Sequence, residues 1–150
     1  MFGKVIKIVG DTIYVQNLAG KAETGVLGYH VVFNDANRQI VGEIENIDAE
    51  SVEILLIGEI VNNIFIPGVI KKPNAEAGCR IITKRELEYI LGSQDYTKKN
   101  NVLIGDSLTY PGFKITADVN QLFANHFAVL GNTGSGKSCS VTRIIQNIFY

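Results

Sequence analysis

The sequence has few long apolar runs, and none reaches the roughly 18 residues of a helical membrane span. The opening stretch, MFGKVIKIVGDTIYV, comes nearest to a leader. Lys7 and Asp11 interrupt it and no small-residue cleavage site follows, so it reads as a strand pair and not a signal peptide. A cytoplasmic protein with no membrane partner is expected. Cysteine is scarce as well. Cys79 and Cys139 are the only two, and both read as free thiols of a reducing compartment. Charge of one sign is missing, since 14 Lys and Arg face 15 Asp and Glu, for a formal net charge of −1. That balance excludes a long-range pull toward nucleic acid. It leaves room for a local basic patch or for a pore built by an oligomer. Tyr14, Tyr29, Tyr89, Tyr96, Tyr110 and Tyr150 make no stacking series for single strands. Lys98-Lys99 reads as a solvated loop.

With 46% apolar and 19% charged residues, the chain is of globular type. Its 150 residues suffice for one core, or for a small domain plus part of another. The first hundred residues alternate short apolar runs with turn signals. Val5 to Val9 and Ile13 to Val15 flank Gly10-Asp11, as in a hairpin. A glycine-containing connection, Gly20 to Gly28, precedes a strand near Tyr29 to Phe33, and Asn34 to Asn37 is a turn cluster. Gln39 to Ile47 and Val52 to Ile57 form a second hairpin across Asp48-Ala49-Glu50. Asn62-Asn63 precedes Ile64 to Ile66, and Pro67-Gly68 and Lys72-Pro73-Asn74 mark loops. Such a series predicts a closed or nearly closed barrel, with a sandwich as the competitor.

Thr83-Lys84-Arg85-Glu86 has capping-box spacing ahead of Leu87, Ile90 and Leu91, and Gly92 ends that helix. Val102 to Ile104 and Phe113 to Ile115 read as strands. Asp118 caps a short helix with Val119, Leu122 and Phe123. His126 to Leu130 is a nearly continuous apolar run, predicting a buried parallel strand. His126 at its start reads as a hydrogen-bonding residue of a strand end.

Gly131-Asn132-Thr133-Gly134-Ser135-Gly136-Lys137-Ser138 follows, the full phosphate-loop pattern. Glycines permit the tight turn and the close approach of phosphate to backbone amides. The next helix offers unpaired amides and a positive dipole end. Lys137 is expected to reach the β- and γ-phosphates of ATP or GTP, and the Ser138 hydroxyl to ligate Mg2+. Cys139 comes next and is placed beside the nucleotide, although packing alone also accounts for it. Val141, Ile144, Ile145 and Ile148 recur at helical spacing. A glycine-rich surface turn, or a loop that binds nucleotide without hydrolysing it, are the competing readings. Hydrolysis also needs an acidic residue on a second core strand and a base. Asp106 and Asp118 precede the loop and are not recruited. The chain is therefore expected to be the N-terminal piece of a longer protein, inactive alone.

Residues 1–115 followed by NHFAVLGNTGSGKS resemble the HerA-type hexameric DNA-pumping ATPases. GKVIKIVGDTIYV and QIVGEIENIDAESVEILLIGE look like the first hairpins of that family's small barrel, and TGSGKS like its phosphate loop. The resemblance implies a mainly β fold, with a barrel over residues 1–100 that carries a short helix near 84–91. Residues 101–150 would then hold a connector and the first strand, phosphate loop and first helix of a RecA-like α/β domain. It implies a homo-hexamer that passes double-stranded DNA through a central pore. The implied partner is a nuclease or an NAD-consuming effector, in DNA end processing or anti-phage defence. Gly131, Asn132, Thr133, Gly134, Ser135, Gly136, Lys137, Ser138 and Cys139 would form the nucleotide site, with Lys137 catalytic and Ser138 on the metal. Rotary ATP synthase subunits, conjugation or secretion motors, and a non-catalytic nucleotide-sensing module are the alternatives.

Overall fold

Short turns set the register of the first strands. Phe2–Val9 (β1) passes through Gly10-Asp11 into Thr12–Asn17 (β2), with Val9 paired to Thr12. His30–Asp35 (β3) passes through Ala36-Asn37 into Arg38–Ile47 (β4), and Asp35 pairs with Arg38. Ser51–Val61 (β5) turns at Asn62-Asn63 into Ile64–Pro67 (β6). Both asparagines have positive φ, 51° and 63°, the geometry of the hairpin turn that matches strand twist. Asn tolerates it better than most side chains. Gly78–Ile81 (β7) completes the set.

Between β4 and β5 the turn is built on one carboxylate. Asp48 accepts hydrogen bonds from the Ser51 amide at 2.6 Å, the Glu50 amide at 2.8 Å and the Ser51 hydroxyl at 3.0 Å. The Ser51 and Glu50 amides hold its carboxyl below the usual range.

These seven strands form one antiparallel sheet in the order β1-β2-β5-β4-β3-β7, with β6 also on β5. It curls into a half-barrel, with β1 and β7 touching but sharing no ladder. Bulges between β4 and β5, at Val41/Gly42 and Ile44/Asn46, add the coiling that a curled sheet requires. At Gly42 a Cβ would lie 2.4 Å from Ile54 Cγ2, so the curl leaves no room for a side chain there. Ile13, Val15, Val31, Phe33, Ile40, Ile44, Val52, Ile54 and Leu56 fill the concave side. At one end of this side, Arg38 binds Glu59 (Nη2–Oε1, 2.6 Å), and Asn74 donates to Asp35 at 2.6 Å.

Val32 and Val41 alternate onto the other face and are also fully buried. The helix Lys84–Leu91 (α1) is anchored on that face by Glu86. Glu86 accepts bonds from Gln39 Nε2 (3.1 Å), from Arg80 Nη2 (2.6 Å) and Nη1 (2.8 Å), and from the Thr83 amide (2.9 Å) and hydroxyl (2.7 Å). The Thr83 hydroxyl in turn accepts from the Glu86 amide. This is the capping box read from the sequence, with an arginine added.

This computed structural model describes residues 2–20, 24–95, 100–124, 126 and 128–149. Lys98-Lys99, Tyr96, Phe127 and Tyr150 lie outside them. The chain divides into two units, Met1–Ile90 and Leu91–Tyr150. In the second, Asn101–Asp106 (β8) and Lys114–Asp118 (β9) form a two-stranded antiparallel ribbon. Asp118 ends β9 and accepts from the Gln121 amide at 3.0 Å, capping Val119–Ala124 (α2). Lys137–Phe149 (α3) closes the series. No helix among the described residues is long and apolar enough to cross a membrane.

Of the expected buried strand at His126 to Leu130, Phe127 lies outside the described residues. Residues 126 and 128–130 carry no strand and are exposed. A parallel strand exists only through its neighbours' hydrogen bonds, and every ladder among the described residues is antiparallel.

Candidate functional site

Gly131 to Gly136 form a tight turn that delivers the chain into the first turn of α3. Gly134 and Gly136 have φ of 81° and 83°, values that a side chain disfavours. The Ser135 amide donates to the Asn132 carbonyl at 3.1 Å and the Ser140 amide to the Gly136 carbonyl at 2.9 Å. At Gly131 a Cβ would lie 2.6 Å from Ser135 Oγ, so a side chain there would require the serine hydroxyl to turn away. Lys137 folds back over it. Its ammonium donates to the Gly131 carbonyl at 2.7 Å and to the Asn132 carbonyl at 2.6 Å.

The structure thus brings Gly131, Asn132, Ser135 and Lys137 into direct contact. Ser138 and Cys139 follow on the first turn of α3 and are exposed, as are Thr133 and Gly134. The first amides of a helix have no partners within it. A compact anion with several oxygens suits such a nest of amides beside one ammonium.

Other groups singled out in the sequence have different occupations. Asp106 pairs with Lys114 at 2.5 Å, and Asp118 caps α2. Among the described residues no three His, Cys, Asp or Glu side chains gather to hold a metal ion. His126 is exposed. Cys79 lies against the core of the first unit, and burial pushes its thiol up to about 12.

Two residues with no signal in the sequence tie this region together. Asn147, near the end of α3, donates from Nδ2 to the Leu103 carbonyl of β8 at 2.8 Å. Gln94 grips β9 with both ends of its amide. It donates to the Lys114 carbonyl at 2.5 Å and accepts from the Lys114 amide at 2.9 Å. Isolated carboxamides have no spacing rule, so only the folded chain discloses them. The apolar side of α3 carries Ile145, Ile148 and Phe149, which with Val119, Phe123 and Ala124 line an open groove of about 680 Å³.

This ribbon, turn and helix coincide with a known family segment. Residues 102–149 match the family described as DUF87, "Helicase HerA, central domain". The "DNA double-strand break repair helicase HerA" of Pyrococcus furiosus is 33% identical over 108 residues, covering 72% of this chain and 18% of that protein. The "Probable DNA double-strand break repair helicase HerA" of Methanocaldococcus jannaschii is 31% identical over 150 residues, covering 96% of this chain and 28% of that protein. The chain is a distant homologue of the HerA-type ATPase and helicase family. It spans less than a third of the length of these two relatives.

Proposed function

We propose that Gly131 to Cys139 bind the phosphates of ATP with Mg2+, and that the chain works in an ATP-driven DNA translocase or helicase. The observation that carries this reading is the glycine turn closed by Lys137 at the head of α3, inside the segment that matches the HerA central domain. Lys137 already lies across the turn. Exchanging two carbonyl partners for phosphate oxygens takes only a swing of its flexible stem. The amides of Gly134, Gly136 and Lys137 supply neutral donors, and the Ser138 hydroxyl the magnesium contact. Asn132, Thr133 and Ser135 shape the turn, and Cys139 borders it.

The balanced composition, with a formal net charge of −1, is as compatible with DNA held inside a ring as with a local basic patch. The proposed assembly is a homo-hexamer around double-stranded DNA, held mainly by sequence-independent phosphate contacts. DNA end processing or anti-phage defence, with a nuclease or NAD-consuming partner in the cytoplasm, is the corresponding biological setting.

Titration of the chain with a fluorescent ATP analogue and Mg2+ tests the site. Wild type is expected to bind, and Lys137→Ala to bind at least about tenfold more weakly, the loss of one charge-assisted contact. Equal affinity in the two proteins overturns the site. Absence of DNA-stimulated ATP hydrolysis in the assembled full-length protein overturns the translocase reading.

A further inference from the structure

The β8–β9 ribbon has two outer edges, and each is closed by a side-chain amide. On β8 the Leu103 carbonyl receives Asn147 of α3 at 2.8 Å. It does so beside the Leu103/Gly105 bulge, where the ladder is interrupted. On β9, Lys114 exchanges both backbone hydrogen bonds with Gln94 at 2.5 and 2.9 Å, as a third strand would. Next to it the Thr116 hydroxyl donates to the Ser93 carbonyl at 2.8 Å. Gly92 packs so closely that a Cβ there would lie 2.3 Å from the Thr116 carbonyl oxygen. The segment from Gly92 to Gln94 is therefore held to β9 along its length. Thr116 is nearly buried, at 7% exposure.

We propose that this ribbon couples the state of the 131–136 turn to the segment that leaves α1. The route runs from Lys137 along α3 to Asn147, across β8 to β9, and from Lys114 to Gln94. Asn147 lies ten residues beyond Lys137 on one helix, about 15 Å along the axis. A helix moves as a rod over that span, so fixing its head restrains Asn147. A two-stranded ribbon has little stability of its own. Its opening therefore depends on the groups that close its edges, and a restrained Asn147 slows that opening. The coupling needs a two-state element that both ends bias, and the ribbon, open or closed, is that element. Asn147 is a positioning residue in this scheme and touches no ligand.

The inference rests on the phosphate-binding reading of the turn, and one experiment separates the two. Amide hydrogen exchange at Lys114 is followed with and without ATP and Mg2+, alongside the fluorescent nucleotide titration. Wild type is expected to bind nucleotide and to slow exchange at Lys114 by about fivefold or more, the size of a modest change in local opening. Asn147→Asp is nearly isosteric but cannot donate to Leu103. It is expected to keep nucleotide affinity within about twofold and to lose the slowing. Asn147→Ala serves as a second variant, with far-ultraviolet circular dichroism verifying that both fold. Binding without slower exchange at Lys114 in wild type overturns the coupling alone. Slowing that persists in both folded variants overturns the route through Asn147. Failure of wild type to bind nucleotide overturns the phosphate site and the coupling with it.

Discussion

Replacing Glu86 by glutamine is expected to destabilise the first unit by about 2 kcal/mol at neutral pH, through lost charge-assisted hydrogen bonds. Glu86 collects five donors on one carboxylate, two of them from Arg80. The Arg80 hydrogen bonds are the largest influence on its pKa and the Thr83 amide adds to it. Together they bring the carboxyl from its ordinary 4.5 to about 2, against the opposing effect of burial. That depression is worth on the order of 3 kcal/mol by linkage. The Arg80 side chain is 37% exposed and Glu86 only 11%, and water at the arginine trims the value to roughly 2 kcal/mol. Counting bonds gives the same scale. Glutamine retains one acceptor oxygen but sets an NH2 against Arg80 and Thr83, and a hydrogen bond to a charged group contributes about 1.5–3 kcal/mol. The folded-state pKa is lowered, so the contribution is complete above the unfolded value. It fades as pH falls from about 5 toward 2. Urea denaturation of wild type and Glu86→Gln across that range tests both statements. A gap under about 0.5 kcal/mol at pH 7, or a gap that stays constant down to pH 2, refutes the account.

Gly92→Ala is expected to cost more than about 3 kcal/mol, because a backbone carbonyl rather than a flexible side chain blocks the new Cβ and φ is +94°. Loss of slow-exchanging amides in β8 and β9 is the readout, and normal protection there refutes it. With a disulfide reagent at pH 8, exposed Cys139 is expected to react in the native protein much faster than the half-buried Cys79. Equal native rates for the two thiols contradict that assignment. ATP with Mg2+ is expected to slow the Cys139 reaction severalfold if the nucleotide covers the start of α3, and an unchanged rate removes Cys139 from the site.

The first unit was largely legible because its turns are chemically explicit. Gly10-Asp11 and Asp48 to Glu50 each mark a hairpin found in the structure, Asn62-Asn63 marks a break that proves to be a third, and Thr83 with Glu86 marks α1. Strand β7 was missed. Gly78-Cys79-Arg80-Ile81 has little apolar alternation, and its pairing to β3 spans more than forty residues. A lone sequence window contains nothing of such a contact. The same limit explains Arg80 and Gln39, whose partner Glu86 is fixed by tertiary packing. At the candidate site the loop residues stand out because phosphate chemistry imposes their spacing. In the strand read before them, the described residues 126 and 128–130 carry no strand, since apolar character is common to many segments and pairing depends on neighbours. Asn147 and Gln94 belong to the same class of tertiary facts.

The Asp48 turn also bears on the order of events in folding. Strands β4 and β5 are the longest in the sheet, at 10 and 11 residues, and only this turn separates them. Their pairing starts from contacts a few residues apart, which close within microseconds. Strands β2 and β7 must instead find β5 and β3 across tens of residues, against a larger loss of chain freedom. A hairpin nucleated at Asp48 is thus the natural template for the sheet, with β2 added to one side and β3 to the other. Asp48→Ala is therefore expected to slow refolding more than it speeds unfolding, which stopped-flow kinetics check.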